Sequence, residues 1–233
     1  MKQNILCLII GIICFTACNS PKQQPQEINE ATTALPSVIE IVTDADSLSI
    51  AQLQVICRKY NIDTTSIYQW KNHLVIYDVL EDSEKILKDI SATFPKADIK
   101  LYEKPFYVFD RKNCQNSETA NEWSHTIMTA NLVNDSTLQR EYMDYHVTQS
   151  EKWPEIANGF CNANFQQLLI FRNERQLMLI ISIPEGENLD ELNPKTTENN
   201  PRVDDWNALM SKYQEGIEGA EQGSAWVTFS QVR

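Results

Sequence analysis

Two β-hairpins, each flanked by one helix before it and one after it, limit the folds open to this chain more than any other feature. Residues 37–43 (SVIEIVT) alternate apolar and polar as a strand. Asp46 or Ser47 is placed to cap a helix running to about Tyr60, with Ile50, Leu53, Ile56 and Cys57 on one face. Residues 65–70 and 73–79 pair across a turn at Lys71 and Asn72. Asp82 opens a second helix with Ile86, Leu87 and Ile90 at helical spacing, stopped by Pro95. Residues 99–109 form a last strand whose second half Pro105 demotes to an edge. The same order then returns. Residues 127–133 are a strand, Asn134, Asp135 and Ser136 supply a cap, and 138–152 are a helix. Pro154 cannot continue that helix, so Trp153, Pro154 and Glu155 begin a separate turn at a bend. A hairpin over 165–171 and 176–183, a helix over 204–214 and a strand over 225–232 complete the second set.

The fold class is therefore α+β, built as two tandem ferredoxin-like β-α-β-β-α-β units. The first occupies residues 36–112 and the second 122–233, joined by a polar linker at 113–121. Element order repeats while residue identity does not, so two independent domains on a linker remain the competing arrangement.

Residues 1–18 read as an export signal: Lys2, an apolar run from Ile5 to Phe15, then Thr16, Ala17 and Cys18. Small residues before a cysteine at the end of a short apolar run resemble a bacterial lipobox. Cleavage there leaves Cys18 to carry a lipid and anchor the chain to a bacterial membrane, on its periplasmic or cell-surface side. The run is short for a spanning helix. Residues 19–35 have no apolar periodicity and are rich in Gln, Pro and Thr, as a disordered tether would be. The formal net charge of −12 argues against binding nucleic acid or anionic lipid through a basic surface. Cys57, Cys114 and Cys161 make no metal-ligand spacing. Cys57 falls on an apolar helix face, while a bridge between Cys114 and Cys161 is open in sequence terms.

Chemistry concentrates on the helix over 138–152. Tyr142 and His146 stand four residues apart, so both leave one face, and Gln149 and Trp153 continue the stripe. Core stripes are ordinarily Leu, Ile, Val and Met. Phenol, imidazole, amide and indole groups suit a sugar instead: aromatic planes for its C–H faces, and a group titrating near neutral pH for its protons. A half-buried amphipathic helix facing water or a partner is the plainer alternative. His73 reads as a surface residue, whereas His125, beside Trp123, is placed to line a cleft.

Tyr142-x3-His146 followed by Trp153-Pro154-Glu155 resembles the L-rhamnose mutarotase family, as does NPRVDDWNALM at 200–210 further on. Order and spacing agree over roughly residues 125–232. The resemblance implies that the two units pair into a dimeric α+β barrel within one chain, an internal pseudo-dimer. It implies a mutarotase that interconverts the α and β anomers of a reducing sugar, L-rhamnose or a related 6-deoxyhexose. His146 is then the proton-transfer group. Tyr142, Trp206, Asn207, Trp153 and Gln167 are the substrate-binding residues, and neither metal nor organic cofactor is needed. There are departures. Six residues, 147–152, separate His146 from Trp153 where the family has three. Asn207 follows Trp206 where one branch has a second tryptophan. A substrate tyrosine on the family's second strand has no match, Phe165 being the nearest aromatic and Gln166 or Gln167 the nearest hydrogen-bonding groups. The resemblance places the active site within residues 125–233 and makes the first unit a degenerate copy. A lipoprotein that binds carbohydrate without turning it over is the competing function.

Overall fold

A computed structural model describes residues 35–44 and 49–232. The signal segment, Cys18 and all of the tether except Leu35 lie outside the described residues. Among the described residues no helix is long and apolar enough to cross a membrane.

The first set of elements is β1 (Ser37–Val42), α1 (Ile50–Lys59), β2 (Ile67–Trp70), β3 (His73–Asp78), α2 (Ser83–Thr93) and β4 (Asp98–Tyr102). Asp82 caps α2 as its sequence predicts, accepting the Lys85 N–H. The cap of α1 is Ser49, whose hydroxyl accepts the Gln52 N–H, rather than Asp46 or Ser47, which lie outside the described residues.

The strand predicted over 99–109 is two strands. β4 pairs with β1, and β5 (Tyr107–Asp110) pairs with β7 (Gln167–Asn173). Pro105 sits between them, where its missing N–H and fixed φ end one ladder before the next begins. β5 thus carries the end of the first half onto the hairpin of the second.

The second set is β6 (Trp123–Leu132), α3 (Ser136–Val147), α4 (Gln149–Lys152), α5 (Pro154–Asn162), β7, β8 (Gln176–Pro184), α6 (Leu189–Leu192), α7 (Pro201–Met210), β9 (Gln214–Glu215) and β10 (Val227–Gln231). Asp135 caps α3 by accepting the N–H groups of Thr137 and Leu138. The helix predicted over 138–152 breaks at Thr148, whose hydroxyl and N–H both bond back to the Asp144 carbonyl. A new helix, α5, then starts with Pro154 at its first position, where a missing N–H costs nothing. α7 likewise begins on Pro201, three residues before the predicted start, and gives way to a 3-10 turn at Ser211–Tyr213.

The ten strands form one antiparallel sheet ordered β4-β1-β3-β2-β10-β6-β8-β7-β5, with β9 paired to β6. Curling of this sheet brings both halves to one concave face. Val38, Tyr68, Val75 and Tyr102 there meet Ile127, Leu169, Phe171 and Phe229 in a shared apolar core. Strand alternation sends the intervening residues outward. Ile39 and Ile41 pack under α1 and α2, and Leu168, Ile170, Leu177 and Ile181 pack under α3, α5 and α7. The architecture is α+β, compatible with ferredoxin-like folds.

Cys114 and Cys161 are disulfide-bonded, with Cα atoms 5.8 Å apart, which fastens the segment after β5 to α5. The buried Arg111 guanidinium reinforces that junction by donating to the carbonyls of Glu118 at 2.7 Å and Cys161 at 3.1 Å. Cys57 is a free, buried thiol in the core under α1, as its helix face predicts.

Candidate active site

α3 presents Tyr142 and His146 inward, one turn apart, with ring centroids 4.3 Å apart. Both are buried, His146 at 7% exposure. The His146 ring is held by a 2.9 Å hydrogen bond between Nδ1 and the Tyr142 main-chain carbonyl. A carbonyl only accepts, so Nδ1 carries the proton and Nε2 is left as the basic nitrogen of the neutral ring.

Aromatic side chains wall this imidazole. Phe106, Tyr107 and Trp206 lie 5.6, 5.4 and 5.2 Å from it, ring to ring. Trp206 comes from α7, where Val203 and Met210 anchor the same buried face. Phe106 and Tyr107 come from the first half, at and just before the start of β5. Burial in this apolar box pushes the His146 pKa down from 6.5 to about 4, against the partial offset of its bond to the Tyr142 carbonyl. At neutral pH the ring is uncharged. Burial also raises the phenol of Tyr142 well above its ordinary value, although Gln214 donates to its oxygen at 3.3 Å. Tyr142 and Tyr107 are thus neutral hydroxyls.

Further polar groups brace the box. The Tyr107 hydroxyl donates to Gln149 Oε1 at 2.5 Å, joining β5 to α4. Gln214 accepts the Trp226 indole N–H at 3.0 Å. Trp153 stands 5.5 Å from Trp206, and the Arg202 guanidinium stacks over its ring at 3.8 Å. Glu155 lies 3.9 Å from Arg202, and its Oε2 is buried without a hydrogen bond.

The structure gathers four of the residues named from the sequence, Tyr142, His146, Trp153 and Trp206, although the helix linking them is broken. Gln149 joins them through Tyr107. Asn207 does not: it is exposed on α7, turned away from Trp206. Gln167 is buried, but it shares the strand face of Leu169 and Phe171, opposite the helices, and so belongs to the concave side. Phe165 stacks on Phe160 in the core, and Gln166 is committed to Asn164 and Ala120. His125 also faces the concave side, bonded to Ser182 at 2.9 Å and packed edge-on to Tyr77.

Phe106 and Tyr107, from outside residues 125–233, complete the aromatic packing around His146. Sequence reasoning passed over them because it treated residues 99–109 as one strand of the first unit. Two aromatics directly after Pro105 were the available signal. Tyr145, whose ring stands 6.3 Å from Trp206, Tyr213, 6.1 Å from Tyr142, and Trp226 were missed as well. Among the described residues no three His, Cys, Asp or Glu side chains are grouped to hold a metal ion.

Comparison with known proteins points to one family. The profile of L-rhamnose mutarotase matches residues 125–232, which include α3, α7 and the hairpin between them. An L-fucose mutarotase of Xanthomonas campestris pv. campestris is 30% identical over 96 residues, 41% of this chain and 74% of the relative. A UPF0734 protein of Dictyostelium discoideum is 29% identical over 86 residues, 37% of this chain and 66% of the relative. By that match and that relative, the chain belongs to the L-rhamnose mutarotase family, a family of carbohydrate epimerases.

Proposed function

We propose that the protein is a lipid-anchored, exported mutarotase that interconverts the α and β anomers of L-rhamnose or a related 6-deoxyhexose at His146. The observation that carries this reading is the single free nitrogen, Nε2, of a neutral imidazole inside an aromatic box. Mutarotation needs a base for the anomeric hydroxyl and an acid for the ring oxygen. Both oxygens are bonded to the same anomeric carbon, within reach of one nitrogen. His146 Nε2 accepts the hydroxyl proton as the bond from C1 to the ring oxygen breaks. The imidazolium then returns that proton to the ring oxygen, leaving the open-chain aldehyde. Rotation about C1–C2 and the reverse transfers close the other anomer. A pKa of about 4 makes the transient imidazolium a strong acid for the second transfer. Tyr142 positions the sugar, and Trp206 and Trp153 offer apolar walls to its C–H face.

The two halves are read as tandem ferredoxin-like units, 36–112 and 122–233, forming an internal pseudo-dimer. Strand orders of β4-β1-β3-β2 and β10-β6-β8-β7 support this, because each runs fourth, first, third, second. Two crossings support it further: β10 pairs with both β6 and β2, and the β4–β5 segment reaches both β1 and β7. The disulfide supports export, since such bonds persist in oxidising compartments.

Saturation-transfer NMR on the purified protein with L-rhamnose, L-fucose and D-galactose tests the activity. Exchange between anomer resonances above the spontaneous rate, strongest for a 6-deoxyhexose, is expected. Line broadening without exchange would assign the protein to carbohydrate binding alone.

A further inference from the structure

A cleft of about 570 Å³ opens between the two halves at the ends of their hairpins, and none of its lining residues belongs to the His146 box. The β2–β3 turn contributes Lys71 and Asn72, the β7–β8 turn contributes Glu174 and Arg175, and the segment at 217–219 closes a third side. Its volume falls within the range typical of small-molecule sites. Residues 129 and 131 of β6 lie on the concave face with Ile127, so the cleft opens onto the shared core, on the opposite side of the sheet from α3.

The polar groups beneath and around it are organised. Glu40, fully buried in β1, accepts from Tyr102 at 2.9 Å and Gln176 at 3.1 Å and pairs with His73 Nδ1 at 2.8 Å. Gln176 also donates to Thr129 and accepts from Lys100 at 2.9 Å. A buried carboxylate is tolerated only when bonded in this way, and the network holds the lining residues His73, Lys100 and Gln176 in place. With Nδ1 bonded to the carboxylate, His73 has Nε2 left over.

Spare capacity on the lining is mostly acceptor. Asn72 and Asn173 each spend one N–H on a carbonyl, of Thr43 and Leu101, which leaves each Oδ1 and one N–H open. Among the described residues the Asn131 side chain makes no hydrogen bond, and neither do the carboxylates of Glu174 and Glu218. Two of the three cations are ion-paired, Lys100 with Asp98 and Arg175 with Glu215, while Lys71 donates to the Gly219 carbonyl and is outnumbered by the open carboxylates of Glu174 and Glu218. A cleft with occupied cations and open acceptors disfavours an anion and favours a ligand dense in hydroxyl donors.

We propose that this cleft is a second ligand site, formed jointly by both halves, that binds a neutral polyhydroxylated sugar. It does not depend on the chemistry assigned to His146.

Amide shifts of the ¹⁵N-labelled full chain, followed while L-rhamnose, L-fucose and D-galactose are titrated to tens of millimolar, test it. Two separate groups of moving resonances are expected, one around Tyr142 and Trp206 and one containing Asn72, Asn131 and Asn173. Asn131→Leu should weaken the second group about threefold to tenfold, the loss of one or two hydrogen bonds, and leave the first group and anomer exchange unchanged. Glu218→Ala, on an exposed loop, should act in the same sense without threatening the fold. Shifts confined to the His146 box for all three sugars would overturn the proposal. So would cleft shifts produced by inorganic phosphate but by none of the sugars.

Discussion

His146 gives its Nδ1 proton to the main-chain carbonyl of Tyr142, one turn earlier on the same helix, at 2.9 Å. One residue thus fixes the tautomer of the other, and Nε2 is the only nitrogen left for chemistry. His146→Ala should therefore remove most anomer exchange above the spontaneous rate, a loss of about 10²–10⁴-fold. Trp206→Ala, which removes a wall and no proton-transfer group, should raise the apparent Kd more than it slows the bound sugar. Exchange and binding measured by NMR on both variants check this. Wild-type exchange in His146→Ala would assign the chemistry to another group.

The depressed pKa of His146 also makes stability depend on pH. The folded value, about 4, lies below the unfolded value of 6.5, so the unfolded chain takes up the proton first as pH falls. Stability present above pH 6.5 is lost progressively towards pH 4. A gap of this size corresponds to roughly 3 kcal/mol at the acid end. Urea unfolding between pH 4 and 7 should show a steeper loss in wild type than in His146→Gln, where other titrating groups are unchanged. Parallel curves would mean that His146 is not buried as a neutral ring.

The Cys114–Cys161 bond closes a long loop that contains β6 and α3 to α5. Removing it in a Cys114→Ser, Cys161→Ser double variant should cost about 2–4 kcal/mol, chiefly by freeing the unfolded chain. Neither cysteine is among the rings packed around His146, so anomer exchange at low temperature should persist. Denaturant midpoints before and after reduction give the figure. An unchanged midpoint would show that the bond constrains neither state.

Lipid attachment is expected at Cys18, from the Thr16-Ala17-Cys18 ending and the polar stretch that follows. Cys18→Ala should leave an unprocessed or mislocalised species, read by mass spectrometry and membrane fractionation. Processing and distribution like wild type would rule the anchor out.

Much of the fold is legible because its signals are local. Alternation marks β1, Asp82 and Asp135 mark helix starts, and Pro154 marks the break between α4 and α5. The pair at Tyr142 and His146 is legible for the same reason: helical spacing alone puts both on one face. What could not be read depends on partners distant in sequence. Gln167 and Gln166 are neighbours of like chemistry, and only the pleat of β7 against its core decides which way each points. The disulfide joins residues 47 apart, and neither spacing nor composition selects that pair. Phe106 and Tyr107 follow a strand of the first half, and only the register of β5 on β7 reveals that they serve the second.

That last relationship can be tested through His146. Its pKa is low because apolar rings exclude water, and Phe106 supplies one of them at 5.6 Å. Phe106→Ala opens the box on the side of the first half. Water then reaches the imidazole, its charged form is better solvated, and its pKa should climb from about 4 towards 6.5. The sugar also loses one aromatic contact, so binding should weaken about threefold to tenfold. Tyr107→Phe is the contrasting variant. It keeps the ring beside His146 but strips the buried Gln149 Oε1 of its bond to the Tyr107 hydroxyl, at a cost of about 1–3 kcal/mol in stability with little change in exchange. An NMR titration of the His146 ring proton in both variants separates the two effects. If the His146 pKa stays near 4 and binding is unchanged in Phe106→Ala, the first half has no part in the site.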